Sequence, residues 1–359
     1  MDMEQIAKLL GVSKTTIHYA IRNTGRLSDQ TRTRVLKAVQ DIGYRPNALA
    51  RNFRRRRADT LGVVLVALNN SIHAHLLEGV EGIARQNRHT MLVACSHGKP
   101  DLERELVEVF MEQGADGLIV VPCHPAKNRI YYRELIERGV QLVFVDREIH
   151  GLDAEIVTTD HEKGAYLEAQ HLLNLGRRKI VCVATRSSSH RSTSVQERIH
   201  GISRALREVG LEPPIVLGTD PPDSAVHEQY GYAVMSDHLK RNAGRFDAVC
   251  AVHDGLAYGV IRALTDGGLR VPKDVAVTGF DDQDPSAYFQ PPLTTVRQPM
   301  REIGMEAGRL LFRRLNEPAM NAARQRIVLE PTLIVRESSG TPVRARQSTQ
   351  SGAVGEASR

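Results

Sequence analysis

No stretch of this 359-residue chain approaches eighteen uninterrupted apolar residues, which excludes a membrane-spanning helix. A secretory leader is also missing. The opening MDMEQIAKLLG is charged within its first four residues and has no apolar core, so the expected location is the cytoplasm. Cysteine is scarce: Cys95, Cys123, Cys182 and Cys250 lie far apart, with no C-x-x-C pair. Cys95, Cys182 and Cys250 sit inside apolar strand-like runs, as expected of small buried thiols in a reducing compartment. No Cys or His pair repeats at zinc-ligand spacing, and His73 and His75, two apart, do not share a helix face, so no metal site is expected. Enzyme signatures are absent too. There is no G-x-S-x-G, P-loop, H-E-x-x-H or dinucleotide fingerprint, and hence no expected cofactor. Asp281 and Asp282 are loop neighbours, whereas glycosidase carboxylates must flank a bond from two sides.

What is present is an ordinary globular composition, 41% hydrophobic and 25% charged, with a net charge of +6 that is unevenly spread. Residues 1–60 hold thirteen Lys+Arg against five Asp+Glu, a net of +8, which leaves −2 for the rest. That is the footprint of a polyanion-binding module, although a solvated basic surface leaves the same trace. Residues 2–44 predict three short helices. Met3, Ile6, Ala7 and Leu10 fall on one face of the first, with Asp2 as its cap. Gly11-Val12-Ser13 breaks it, and Ser13 caps a second helix over Lys14–Asn23 that turns Ile17, Ala20 and Ile21 inward. Ser28 caps a third, which is expected to bury Val35, Leu36, Val39 and Ile42. Two helices across a Gly-containing turn, the second polar outside, read as a helix-turn-helix; a plain three-helix bundle has the same pattern.

The next segment runs Tyr44-Arg45-Pro46-Asn47-Ala48-Leu49-Ala50-Arg51-Asn52-Phe53, followed by four arginines, Arg54 to Arg57. Pro46 suits the first turn of a short helix. One aromatic beside a basic run matches a minor-groove wedge; a disordered basic connector is the other reading. From residue 61 the pattern alternates. LGVVLVA, MLVAC, GLIVV, QLVFV, IVCVA, AVCAV and VAVTGF are short apolar runs. Helical stretches at 72–87, 101–113, 130–138, 162–174, 195–209, 227–240, 255–267 and 301–315 separate them. This predicts parallel sheets of about five to six strands each, covered on both faces. The fold class is therefore an all-α helix-turn-helix head (1–44), a hinge helix and basic linker (45–60), and a two-lobed α/β domain (61–340). The Ser/Thr/Gly/Arg/Gln-rich residues 341–359 read as a disordered tail.

Nearly the whole chain resembles the lactose/galactose repressor (LacI/GalR) family. The resemblance rests on IAKLLGVSKTTIHYAIRN and LSDQTRTRVLKAVQDIGYRPNALAR in the head. In the core it rests on GADGLIVVP, VFVDRE, VTTDHEKGAYLEAQHLLNLGRRKI, HDGLAYGVIRALTDGGLRVPKDVAVTGFDD and PPLTTVRQP. It implies a periplasmic-binding-protein-like core whose two lobes close over a small effector, and a homodimer whose paired hinge helices sit on double-stranded operator DNA. A pure solute-binding protein would share the core but not the head.

The resemblance places base reading at Lys14, Thr15 and Tyr19, with packing and phosphate contact at Thr16. His18, Arg22, Asn47, Arg51 and Arg54 complete the candidate DNA-binding set, and Phe53 takes the hinge-wedge position, usually Leu. The usual T-V-S-R is here Thr16-Ile17-His18-Tyr19. Tyr offers guanine one hydroxyl where Arg offers two donors, so the family's common operator does not carry over. The effector positions map to Ile72 and His73, where relatives often have two aromatics, and to Asp146, Ser194, Arg198, His253, Asp281 and Gln298. Asp146 and Asp281 as acceptors with Arg198 as donor suit vicinal hydroxyls and hence a sugar-like effector, although loop capping also explains the aspartates. His73 and His253 fit equally well as bystanders at a cleft rim.

Overall fold

Continuous apolar runs build the central strands, and apolar positions at helical spacing build the helices, some of them with side-chain caps. The computed structural model describes residues 3–22, 24–42, 58–68, 71–124, 126–185, 192–218, 227–241, 246–317 and 323–340. Contacts divide the chain into two units, Met1–Ala58 and Asp59–Arg359.

The first unit packs α1 (Met3–Leu10), α2 (Lys14–Arg22) and α3 (Asp29–Asp41) around Ile6, Ala7, Ile17, Ala20 and Val35. Gly11 makes the turn with φ +62, a conformation that costs a residue without Cβ nothing. The Ser13 hydroxyl then accepts the Thr16 N–H at 3.0 Å, and that of Ser28 accepts the Thr31 N–H at 3.3 Å, so both expected caps form. Leu36 departs from expectation and is 41% exposed. Val35, Val39 and Ile42 already make an i, i+4, i+7 stripe, and Leu36 lies a further 100° or so round the helix. Asp2, the hinge and basic linker through Arg57, and the tail from 341 lie outside the described residues.

The second unit holds two six-stranded sheets. In the first lobe, β1 (Thr60–Leu65), β2 (Thr90–Cys95), β3 (Gly117–Val120), β4 (Leu142–Val145), β5 (Glu155–Thr159) and β11 (Arg326–Leu329) run parallel in the order β11-β5-β4-β3-β1-β2. One face is covered by α4 (Ser71–Gln86) and α11 (Met300–Asn316), the other by α5 (Pro100–Glu112) and α6 (Arg129–Glu137). The second lobe comprises β6 (Ile180–Val183), β7 (Ile215–Leu217), β8 (Ala248–Ala251), β9 (Ala276–Asp281), β10 (Thr294–Arg297) and β12 (Thr332–Ile334). Its order is β12-β10-β9-β8-β6-β7, parallel except where β12 pairs antiparallel with β10. Around its core lie α7 (His161–Asn174), α8 (Thr193–Glu208), α9 (His227–Lys240) and α10 (Asp254–Asp266).

All eight helices expected in this unit form, with ends moved by at most two residues. The chain passes between the lobes three times: from β5 to α7, from β10 to α11, and from β11 to β12. Helices α4 and α11 touch through Gly79 and Gly304. A Cβ on Gly79 would stand 2.1 Å from the Arg301 carbonyl oxygen, so only glycine permits that approach. Cys182 and Cys250 are buried as expected, but Cys95 is only half-buried because β2 is an edge strand.

Candidate functional site

In the head, the buried face of α2 leaves Lys14, Thr15, His18 and Tyr19 exposed together on its outer side. Thr16 is partly buried, and its hydroxyl lies 2.9 Å from that of Ser13. Lys14 Nζ donates to Glu4 Oε2 at 2.7 Å. Both partners are exposed, and such a pair contributes roughly 0–1 kcal/mol, so the ammonium is easily given up to a phosphate. The Tyr19 ring lies over the Gly25 turn, where a Cβ would stand 2.6 Å from its Cδ2. The Tyr19 carbonyl accepts from Arg32 Nη1 at 3.3 Å. The tyrosine is thus anchored at one edge and still 39% exposed. The side chain of Arg22, and Asn47, Arg51, Phe53 and Arg54 entirely, lie outside the described residues.

In the two-lobed unit, four of the eight mapped effector residues belong to one buried network at the C-terminal ends of the strands. Arg198, on α8, donates through Nη1 to the Val252 carbonyl at 2.6 Å and to Asp281 Oδ1 at 3.5 Å. Its guanidinium stacks 3.8 Å from the centre of the Phe280 ring. Gln298 Nε2 donates to Asp281 Oδ1 at 2.8 Å, while Gln298 Oε1 accepts from Thr159 Oγ1 at 2.8 Å. Asp146 joins through His161, which is fully buried: His161 Nε2 is 3.1 Å from Asp146 Oδ1, and His161 Nδ1 accepts from Arg198 Nε at 3.3 Å. Because Arg198 can only donate, the His161 proton sits on Nε2 and faces Asp146. Burial raises the Asp146 carboxyl, but the hydrogen bond from His161 and the positive charges of Arg147 and Arg198 outweigh it and hold it well below the usual range. Burial also raises the Asp281 carboxyl, and there the opposing pull of Arg198 and Gln298 does not overcome it.

The other mapped residues stand apart from that network. Ile72 lines a cleft of about 340 Å³ between the lobes, together with His75, Asp281, Asp282, Asp284 and Gln298. Across its rim His75 Nε2 lies 3.2 Å from Asp284 Oδ1, and the Asp284 N–H reaches the Ser71 hydroxyl at 3.2 Å. Ser194 is buried 3.0 Å from the Ser192 hydroxyl. His253 caps α10, its Nδ1 accepting the Leu256 N–H at 3.3 Å. Burial, then the neighbouring His227, Arg198 and Arg147, keep His253 far below the ordinary imidazole value and hence neutral. His73 is likewise lowered, chiefly by burial against the opposing influence of Asp146.

Sequence reading missed His161, although VTTDHEKG contains it. Nothing in a helix-start phrase signals a partner 37 residues further along. Arg147 and His227 were also passed over. Among the described residues one cluster of metal-ligand types occurs, Asp59, His89 and Asp116, within 4.8 Å of one another. It lies at the N-terminal edge of the first sheet, opposite the cleft, and His89 Nε2 is 3.2 Å from Asp116 Oδ2 in an ion pair.

Residues 2–47 match the model for bacterial regulatory proteins of the lacI family, and residues 169–339 match the periplasmic binding protein-like domain. The HTH-type transcriptional regulator DegA of Bacillus subtilis (strain 168) is 30% identical over 343 residues, which cover 93% of this chain and 96% of that protein. This chain belongs to the lacI family of bacterial regulatory proteins. The HTH-type transcriptional repressor PurR of Vibrio vulnificus (strain CMCP6) is 28% identical over 341 residues (94% of this chain, 98% of that protein). The ribose operon repressor of Haemophilus influenzae is 29% identical with the same coverage, 94% and 98%. Among solved structures, the Lac repressor dimer bound to operator and the anti-inducer ONPF has a TM-score of 0.83 over 95% of this chain and 99% of that one; at 24% identity it speaks for the fold. The complex of the transcriptional regulator CelR with cellobiose has a TM-score of 0.69 and 29% identity, covering 94% and 99%.

As a lacI-family member the chain is a ligand-responsive, DNA-binding transcription regulator, with an all-α head and a two-lobed periplasmic-binding-like core. The relatives are regulators and point away from catalysis, and a free-standing solute-binding protein would lack the matched head. No described helix is long and apolar enough to cross a membrane.

Proposed function

We propose that this regulator is a cytoplasmic repressor that binds a pseudo-palindromic operator as a homodimer and responds to a sugar or sugar derivative. The observation carrying the effector class is the network of Asp146, Arg198, Asp281 and Gln298 at the strand ends. Open α/β sheets bind ligands at such edges, and charged acceptors and donors placed side by side suit adjacent hydroxyls. Two similar proteins, a ribose operon repressor and a regulator complexed with cellobiose, support that reading.

On the DNA side, Lys14, Thr15 and Tyr19 would read base edges, with Thr16, His18 and Arg22 beside them on phosphate or packing duty. Asn47, Arg51, Phe53 and Arg54 would form the hinge contact, between a head of residues 1–44 and a sensing domain of residues 61–340. The test is differential scanning fluorimetry against neutral sugars, sugar acids and sugar phosphates. A ligand specific to the folded state raises Tm by mass action, and a hit should then change operator affinity in a mobility-shift assay. If nothing sugar-like raises Tm while another ligand class does, the effector reading is wrong.

A further inference from the structure

Beside the hydroxyl-binding network lies a second group of polar atoms in which donors outnumber acceptors. Arg147 follows Asp146 at the end of β4. Its Nη1 donates to the carbonyls of Pro122 at 3.2 Å and Cys123 at 3.5 Å, which fixes the guanidinium. Its Nε is buried and donates to nothing; Asp146 Oδ2 is 3.4 Å away but not hydrogen bonded. His73 Nδ1, also buried, has no partner either.

From the second lobe comes His253. Its Nδ1 is committed to the α10 cap, so its proton sits on Nε2, a donor with no partner among the described residues. The His227 ring, at the start of α9, is 4.3 Å from that of His253, so two helix N-termini, each the positive end of a dipole, meet here. The acids facing this group are Asp146, Asp281 and Glu228. Asp281 is already engaged by Arg198 and Gln298, and Asp146 by His161. The Phe280 ring is covered by Arg198, so it offers no free stacking face.

We infer that the effector carries an anionic group, a carboxylate or a phosphate monoester, seated between Arg147 of the first lobe and the paired imidazoles of His227 and His253 in the second. A neutral hydroxyl serves one or two of these donors, whereas a group with two or three acceptor oxygens serves them all. Anions bind at helix N-termini for the same reason. Desolvation keeps His73, His227 and His253 below their ordinary value, and the positive charge of Arg147 adds to it at each ring. This inference rests on the polyol reading above and narrows it to sugar acids or sugar phosphates.

The test uses the full-length protein and a matched panel: ribose, ribonate and ribose 5-phosphate; glucose, gluconate, glucuronate and glucose 6-phosphate. Tm is screened first, and affinity is then measured by titration calorimetry. At least one anionic member should bind more tightly than its neutral parent by about tenfold or more, the scale of a charge-assisted hydrogen bond. Which anion binds distinguishes carboxylate from phosphate. Arg147→Gln should remove that preference and Arg147→Lys should restore part of it, with the unliganded Tm reporting that each variant is folded. A neutral sugar that matches or exceeds its anionic forms overturns the anion subsite and leaves the polyol reading standing. A panel without any hit overturns both. An unchanged anion preference in Arg147→Gln overturns the role of Arg147 and with it the subsite.

Discussion

Arg198 serves three groups at once: the Val252 carbonyl, Asp281 and, through His161, Asp146. The carboxylate of Asp281 is therefore part of a balanced set, and Asp281→Asn should weaken ligand binding by about tenfold to a hundredfold, the range for a lost charged hydrogen bond. Calorimetry with a ligand identified by thermal shift checks this, and a variant that binds normally would mean that the pocket is misplaced. A second residue-scale effect concerns pH. The Asp116 hydrogen bond, opposed by partial burial, raises His89 above its ordinary value of 6.5. The stabilisation from that pair is complete below the ordinary value and is lost as pH rises through the raised one. The Tm difference between the parent protein and His89→Gln should therefore be largest in acid and shrink as pH rises through and above the ordinary value of 6.5. A constant difference over that window would remove the pair from the pH response. At this scale the sequence showed Asp146, Arg198, Asp281 and Gln298 as candidates but not how they join. The joining residue, His161, is recognisable only once a strand end and two helices meet in space.

At the scale of elements, the long helices were legible because their apolar positions recur at helical spacing and their caps are written locally, as at Ser13 and Ser28. The strands β5, β7, β10, β11 and β12 were not singled out. They are three to five residues long; β7 is only Ile-Val-Leu, the others mix polar with apolar side chains, and what makes each a strand is its neighbour in the sheet. Both sheets have six strands, within the five to six expected, but the antiparallel β12 left no trace in a pattern of alternating strands and helices. The hinge is the element with the sharpest functional expectation. The hinge proposed for residues 45–60 would be switchable if it ordered only on DNA, because its contacts would then exist only in the lobe arrangement that brings two copies together. Phe53→Ala should remove the wedge, while Arg54 to Arg57 keep the attraction to phosphate. Titrations on operator and on random DNA across a salt series should show the specificity ratio falling more than the salt slope does. A variant that still bends and selects its operator like the parent would assign the hinge's work to the basic run.

For the whole molecule, the assembly expected is two chains. A tetramerising tail requires a leucine heptad, and residues 341–359 contain no Leu, Ile or Phe. Light scattering at micromolar concentration should give about twice the 39.8 kDa chain mass, and a fourfold mass would defeat the claim. The three passages of the chain between the lobes also bear on how the protein is made. The first lobe's sheet is laid down by residue 159, except for β11, but α11, which supplies Ile303, Ala307, Leu310 and Leu311 to its core, comes only after nearly all of the second lobe. Until the ribosome has passed residue 316, that face of the first sheet has α4 alone for cover, and the contacts it still lacks are among the most distant in sequence that the chain makes. The head, by contrast, is finished within its first 42 or so residues. A nascent or prematurely terminated chain thus emerges as a folded head tethered to a sticky, half-built sensor, a substrate for chaperones and proteases.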